Sequence, residues 1–510
     1  SRSCHCSAKT CRFGPLFKKR GPEVTSEVVP AAGLKKNAVS FASNAVIGIA
    51  STAPAYSLAS ALGVIAGTAA FATPAIIIVA FIPMLFVATA YFYLNRADPD
   101  CGTVFSWATR TMGPSVGWVA GWALIATNIV VIPSLAVIEG RYSLQLLGYT
   151  QPSALAVTAV GVLWIALMTA ICYFGIELSA RTQQVLLAIE LIALFIFAAV
   201  ALARAYGGSG LPESASVAWS WFDPFATGSA DKFVEAFLAA VFVYWGWDAG
   251  VSINEETENP RTAPGRAAIA STLLLLVVYL LVAVAAIAFA GPQALSTSRA
   301  DIFASIGTGV LGPGFDTLLV IAVLTSASAA TQTTILPASR TVLSMARTGA
   351  MPKALAKIHP RYLTPDIATL LMGAISIAWY AGLSILSQNV LEDSILALGL
   401  CIAFYYCLNG LACVILCKGE ILKSARNFVL MGLFPAAGAL TMLFLFIRSC
   451  VTLAGTGATA IFGLGTPLVI GLGALFTGFL LMALARLRLP DFFRESAQPP
   501  AGGESSPFKV

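Results

Sequence analysis

Apolar runs of about 20 residues or more recur along the whole chain, separated by short segments that hold nearly all the Lys, Arg, Asp and Glu. One such run would anchor a soluble domain, but a dozen in succession leave no room for one. Of the 510 residues, 58% are apolar and 11% are charged, too few charges to solvate a surface of this size in water. Lipid is therefore the natural solvent of most of this surface.

The runs predict an all-α integral membrane protein with about twelve transmembrane helices. The spans fall at roughly 38–66, 71–95, 116–141, 153–175, 182–204, 232–254, 267–290, 313–338, 366–387, 392–417, 427–448 and 464–486. They are too long and uninterrupted for the alternating strands of a membrane β-barrel, and backbone groups in lipid must be satisfied within each segment. Flanking them, 1–37 reads as a basic, disordered cytoplasmic tail, 38–490 as the transmembrane domain and 491–510 as a C-terminal cytoplasmic tail.

Lys and Arg beside spans are retained in the cytoplasm. With the N-terminus inside, the outer segments keep only Arg141, Arg204, Lys232, Arg299 and Arg448 of the 30 basic residues, so both termini are expected in the cytoplasm. The net charge of +6 is then a topological signal, and no basic stripe interleaved with aromatics points to nucleic acid. The absence of any Asn-x-Ser/Thr acceptor favours a bacterial inner membrane, a multi-pass protein of the cell membrane.

Several chemistries find no support. His5 and His359 are the only histidines, which excludes haem ligation or a histidine triad within the membrane, and no phosphate-cradling glycine loop is present. Cys4, His5, Cys6 and Cys11 in the tail fit no zinc spacing. No enzyme activity, catalytic residue, cofactor or metal is expected, which leaves a transporter or channel.

The informative places are where the helix pattern fails. In span one, Pro54 removes a backbone bond and clashes with the carbonyl four residues earlier, so the backbone over 50–53 is expected to unwind. In span six, Gly246, Asp248 and Gly250 interrupt an apolar helix, with a break expected over 245–248. Either break alone could be a simple kink or a tight packing contact. Interruptions in the first spans of two successive groups of five instead point to a transporter site at a repeat interface, where freed N–H groups receive a carboxylate and freed carbonyls an ammonium or cation. An amino acid carries both groups.

Three stretches then carry a family resemblance. Gly246-Trp247-Asp248 followed by Asn254-Glu255-Glu256-Thr257-Glu258-Asn259-Pro260-Arg261 and Pro264 resembles the sixth-span signature of the amino acid/polyamine/organocation (APC) superfamily. Ala338-Ser339-Arg340, Met345-Ala346-Arg347, Gly349, Met351-Pro352 and His359-Pro360 through Thr364-Pro365 resemble that family's loop after span eight. Gly113, Gly117-Trp118 and Gly121-Trp122 resemble its third span.

The resemblance implies a LeuT-like fold of five plus five inverted helices (about 38–204 and 232–417) with two more at the end (about 427–486). It implies a secondary transporter of an amino acid or related amine. The substrate carboxylate would lie near the backbone of Ala50, Ser51, Thr52 and Ala53, with an aromatic gate at Phe242 and Tyr244 and unwound backbone at Trp245 and Gly246. The usual glycine-rich turn of span one is replaced here by Ser51-Thr52-Ala53-Pro54.

Ionisable groups within spans are costly and functional by default. Glu190, alone in an apolar stretch of span five, could carry the coupling proton, since burial favours a neutral carboxyl, or could be hydrogen-bonded packing glue. Asp248 is read either as a contact for a substrate ammonium or gate, or as a cap on an unwound helix end. Thr325, Ser326, Ser328, Thr331, Gln332, Thr333 and Thr334 of span eight offer oxygens to sodium or bond back to their own helix, the latter favoured. Trp122, Tyr405 and Tyr406 are gate candidates, and Glu255, Glu256 and Glu258 read as a solvated helix end paired with nearby basic residues. The expected partners are a small amino-acid-like substrate, a proton or sodium ion and the lipid bilayer. An exchanger, or a channel or sensor on the same fold, is the alternative; a channel's rings of charges or carbonyls are not seen.

Overall fold

The computed structural model describes residues 33–149, 151–297, 302–386, 390–454, 460–461 and 464–495. The terminal tails, with Cys4, His5, Cys6 and Cys11, lie outside the described residues.

The first half runs through α1 (Phe41–Ser51), α2 (Pro54–Ala69), α3 (Thr73–Ala97), α4 (Val104–Met112), α5 (Pro114–Leu146), α6 (Ala154–Phe174) and α7 (Ile176–Tyr206). The second continues with α8 (Ala230–Phe242), α9 (Ala249–Ser252), α10 (Ala263–Thr297), α11 (Ile302–Leu311), α12 (Thr317–Arg347), α13 (Asp366–Leu386) and α14 (Val390–Ile421). One turn, α15 (Ala425–Asn427), passes through a π-helical stretch into α16 (Phe434–Ala454), followed by α17 (Thr466–Arg488) and α18 (Pro490–Glu495). Helix starts follow local chemistry: Ser40 and Ser153 cap α1 and α6 by accepting from the N–H three residues on, and Pro54 and Pro114 open α2 and α5 where a missing N–H costs nothing.

Among the described residues, ten helical stretches are long and apolar enough to cross a membrane. Two features separate this number from the twelve spans expected. The stretch Phe41–Ala97 is 57 residues long, far more than one crossing needs, and it holds α1, α2 and α3. The expected sixth span is cut into α8, of 13 residues, and α9, of four, neither of which spans alone.

The outer faces remain greasy. Leu163, Ile192, Val277 and Phe476 are each more than half exposed on four of the membrane-length apolar helices, as a surface solvated by acyl chains requires. Inside, α12 packs on α5, α7, α13, α1 and α2, and so forms the wall against which the interrupted helices lie.

Both interruptions occur where the sequence places them, and they touch. The α1 helix ends at Ser51, Ala53 takes a left-handed conformation (φ 47°), and α2 restarts at Pro54. A non-glycine residue held at positive φ stores strain that only surrounding structure can maintain. Opposite it, Gly246 has φ 119°, and a Cβ there would lie 2.5 Å from the Ser51 carbonyl oxygen. Only glycine allows the two broken backbones to approach so closely.

Further contacts stitch the pair together. Asn44 Nδ2 of α1 donates to Gly250 O (2.8 Å) and Thr257 Oγ1 (2.9 Å). Ser271 Oγ of α10 donates to Ala45 O at 3.0 Å. Val39 bridges Thr257 in a parallel pairing, with Glu258 N–H donating to Val39 O at 2.9 Å.

Gly246→Ala is expected to destabilise the protein by roughly 2–4 kcal/mol through overpacking and positive-φ strain. Gly399→Ala, on α14 with open space at its Cβ position, is the control and should melt at or above wild type. Equal melting temperatures for the two purified variants in detergent would refute the close approach.

Candidate functional site

Pro54 has no N–H, so the first donor of α2 is that of Ala55, and three helices converge on it. Ala55 N–H donates to Glu190 Oε1 of α7 at 2.6 Å. Ser326 Oγ of α12 donates to the same oxygen at 2.7 Å and accepts from Tyr56 N–H at 3.1 Å. Glu190 is fully buried and its Oε2 has no hydrogen-bond partner. An acidic group at the N-terminus of a half-helix is favoured by the exposed N–H groups and by the helix dipole. The span-five carboxylate therefore sits on the span-one break itself.

The second break presents another carboxylate. Asp248 Oδ2 accepts from Tyr91 Oη of α3 (3.2 Å) and Tyr405 Oη of α14 (3.1 Å), and Oδ1 accepts from Tyr406 Oη (3.0 Å). Trp245 Nε1 donates to Tyr405 Oη at 2.6 Å, and Asn409 Nδ2 donates to Tyr91 Oη at 2.7 Å. Three tyrosines thus tie Asp248 to α3 and α14.

The structure brings the expected residues together unevenly. Ala50, Ser51, Thr52 and Ala53 are all buried at the break, and Thr52 Oγ1 bonds back to Ile49 O at 2.7 Å. Phe242 is half-buried at the end of α8. Tyr244 turns away from the break, with its hydroxyl donating to Ile77 O of α3 at 3.1 Å and its ring against Phe81 and Tyr279. Of the three gate candidates, Tyr405 and Tyr406 reach Asp248, whereas Trp122 does not belong with them. Its ring stacks on Trp118 one turn earlier and its Nε1 donates to Ala474 O of α17 at 2.9 Å, because that phase of α5 faces the C-terminal helices.

Among the span-eight oxygens, Thr325, Ser328, Thr333 and Thr334 bond back to α12 carbonyls, and Gln332 Oε1 accepts from Gln183. Ser326 is the exception that reaches another helix's carboxylate. A residue the sequence reading missed is Glu139 of α5. It is fully buried, neither carboxyl oxygen has a hydrogen-bond partner, and Ser328 and Thr331 are its polar neighbours. Arg141, two positions on, marked a span end, but α5 continues to Leu146.

The acidic run after span six is not solvated throughout. Glu256 is fully buried and accepts from Arg340 Nε and Nη2 of α12, each at 3.0 Å. Glu255 pairs with Arg347 at 2.8 Å, and only Glu258 is exposed. Partial burial pushes the Glu255 carboxyl up, but Arg347 and the Cys101 N–H outweigh it and hold the group below the usual carboxylate range. These pairs close the end of the bundle at which α1 begins. Toward the other end lies a cavity of about 1100 Å³ lined by Ser60, Val64, Arg141, Glu235, Tyr380 and Glu392 among others.

The sequence has known relatives. The sequence profile of the amino acid permeases matches residues 36–485. The chain belongs to the amino acid permease family. It is an APC-superfamily permease and hence a multi-pass membrane protein of a transporter family. An uncharacterized transporter of Mycobacterium tuberculosis is 29% identical over 284 residues, 54% of this chain and 58% of its own length. The match therefore spans little more than half of that relative. The branched-chain amino acid permease of Lactococcus lactis is 25% identical over 393 residues (71% of this chain, 78% of its own), and the low-affinity putrescine importer of Escherichia coli is 23% identical over 390 (74% and 81%).

Removing one partner of a fully buried ion pair costs about 3–5 kcal/mol, whereas replacing both with apolar residues is close to neutral. Glu256→Gln should therefore lower the melting temperature strongly, and the double change Glu256→Met with Arg340→Met should recover most of the loss. Equal melting of the single and double variants would show that the pair is not buried as described.

Proposed function

We propose that this permease is a secondary active transporter that moves an amino acid or related amine across the cytoplasmic membrane by alternating access. The observation that carries the reading is the contact of two interrupted spans, Ser51 against Gly246, with a buried carboxylate seated on one of the breaks. The chain is read as twelve spans in a five-plus-five inverted repeat, about 38–204 and 232–417, followed by two helices, with both termini in the cytoplasm of a bacterial cell. In that frame the Glu256–Arg340 and Glu255–Arg347 pairs close the cytoplasmic side, and the 1100 Å³ cavity is an outer vestibule.

Substrate contacts are assigned to the backbone at 50–53 and 245–246, with Phe242 as the gate side chain. Glu190 carries the coupling proton: its Oε2 is buried without a partner, and its other oxygen touches the break that must move. Asp248 acts as a latch between the second break and Tyr405 and Tyr406 rather than as an ammonium receptor, because three hydroxyls already converge on it.

In liposomes, saturable uptake with counterflow tests the carrier reading, and Glu190→Gln should abolish uptake driven by a pH gradient while exchange persists. Driven uptake that survives in this variant removes the proton role. Asp248→Asn should reduce transport of cationic and neutral substrates alike, together with thermal stability. A loss confined to cationic substrates would return Asp248 to the binding site.

A further inference from the structure

Helix α12 meets a buried carboxylate on each of two sides. Ser326 reaches Glu190 of α7. Ser328, two residues on and so about 200° around the helix, shares a face with Thr331, and these two are the polar neighbours of Glu139 of α5. Glu139, Ser328 and Thr331 are all fully buried, and neither carboxyl oxygen of Glu139 has a hydrogen-bond partner. The carrier reading above assigns this carboxyl no role.

Hydrogens are scarce in the cluster. Ser328 Oγ spends its only hydrogen on Leu324 O at 2.8 Å, so it can offer Glu139 nothing but lone pairs. Thr331 Oγ1 is buried and unpartnered as well. Among the described residues, no Lys or Arg acts on the carboxyl. Two carboxyl and two hydroxyl oxygens thus gather where a charge without a counter-charge is costly. A neutral carboxyl would turn its O–H onto Ser328 Oγ, yet the neighbours form no such bond. Oxygens that share a metal ion at roughly 2.4 Å stand about 3.4–3.9 Å from one another, as neighbours outside hydrogen-bond reach. One carboxylate balances one positive charge, so a monovalent ion leaves the cluster neutral and a divalent ion does not.

We propose that Glu139, Ser328 and Thr331 form a site for a monovalent alkali cation, sodium or potassium, inside the wall of the bundle. The ion ties α5 to α12 and so stiffens the surface against which the interrupted helices lie. It is separate from the two breaks and independent of whether Glu190 carries a proton. The approach is from the cavity of about 1100 Å³: Tyr380 of α13 lines it, has a buried and unpartnered hydroxyl, and lies within the electrostatic reach of Glu139.

The test uses the purified full-length protein in detergent at neutral pH, with NaCl or KCl replaced by N-methyl-D-glucamine chloride at constant ionic strength. At least one alkali salt should raise the melting temperature saturably, and equilibrium dialysis should find the stabilising ion bound. Glu139→Gln should abolish both effects. Should that variant not fold, Ser328→Ala and Thr331→Val keep the carboxylate and should each raise the half-saturating salt concentration about tenfold, the equivalent of one lost contact to a charge. A melting temperature that neither alkali cation moves would overturn the inference and leave Glu139 a neutral acid. An undiminished response in Glu139→Gln, or in both hydroxyl variants, would overturn it too, by placing the ion elsewhere. No uptake is measured, so either failure leaves the carrier reading standing.

Discussion

A helix interrupted inside a bilayer frees backbone groups that hydrocarbon cannot solvate, and each one left unpaired costs several kcal/mol. The architecture is organised around meeting that requirement at two places. Glu190 and Ser326 take the donors of α2, Ser57 Oγ donates to the Thr52 carbonyl at 2.7 Å, and Tyr279 Oη donates to the Val243 carbonyl at 2.6 Å. Helices α7, α10 and α12 are thereby fixed around the breaks by chemistry that packing alone would not supply. The strained Ala53 persists because these neighbours leave it no alternative.

The carboxylates divide by what surrounds them. Asp248 is held by three hydroxyls, and Glu256 by a guanidinium in the geometry that suits a planar fork. Glu190 is half-satisfied and Glu139 is not satisfied at all. Groups of the first kind fix a conformation. Groups of the second kind keep an unmet hydrogen-bonding capacity inside the bundle.

The breaks were legible because proline and glycine act through local backbone sterics that need no tertiary context. Glu190 was legible because a lone acid in an apolar stretch is too costly to keep without a partner or a role. What stayed hidden depended on helix phase. In spans apolar on every side, periodicity does not say which face meets which neighbour, so Trp122 and Tyr244 were placed by position alone and point elsewhere. Glu139 was masked by Arg141, and Glu256 by acidic neighbours that made the whole run resemble a solvated end, although Arg340 reaches it from 84 positions away. The occupation of the Ala55 donor was equally invisible, since it joins residues 135 apart.

The Val39–Thr257 pairing and the Asn44 contacts carry a mechanical consequence. They fasten the start of α1 to α9 and the segment after it by hydrogen bonds that run both ways, Asn44 donating across to Gly250 O and Thr257 Oγ1 and Glu258 N–H donating back to Val39 O. In the alternating-access reading proposed above, the two half-helices would travel as a single lever, and what must part is the seam between that lever and α12. Two ion pairs cross that seam to α12, the fully buried Glu256–Arg340 and the partly exposed Glu255–Arg347. In that reading, rupture of the buried pair would expose two charges to incoming water, and their hydration would offset part of the work of opening.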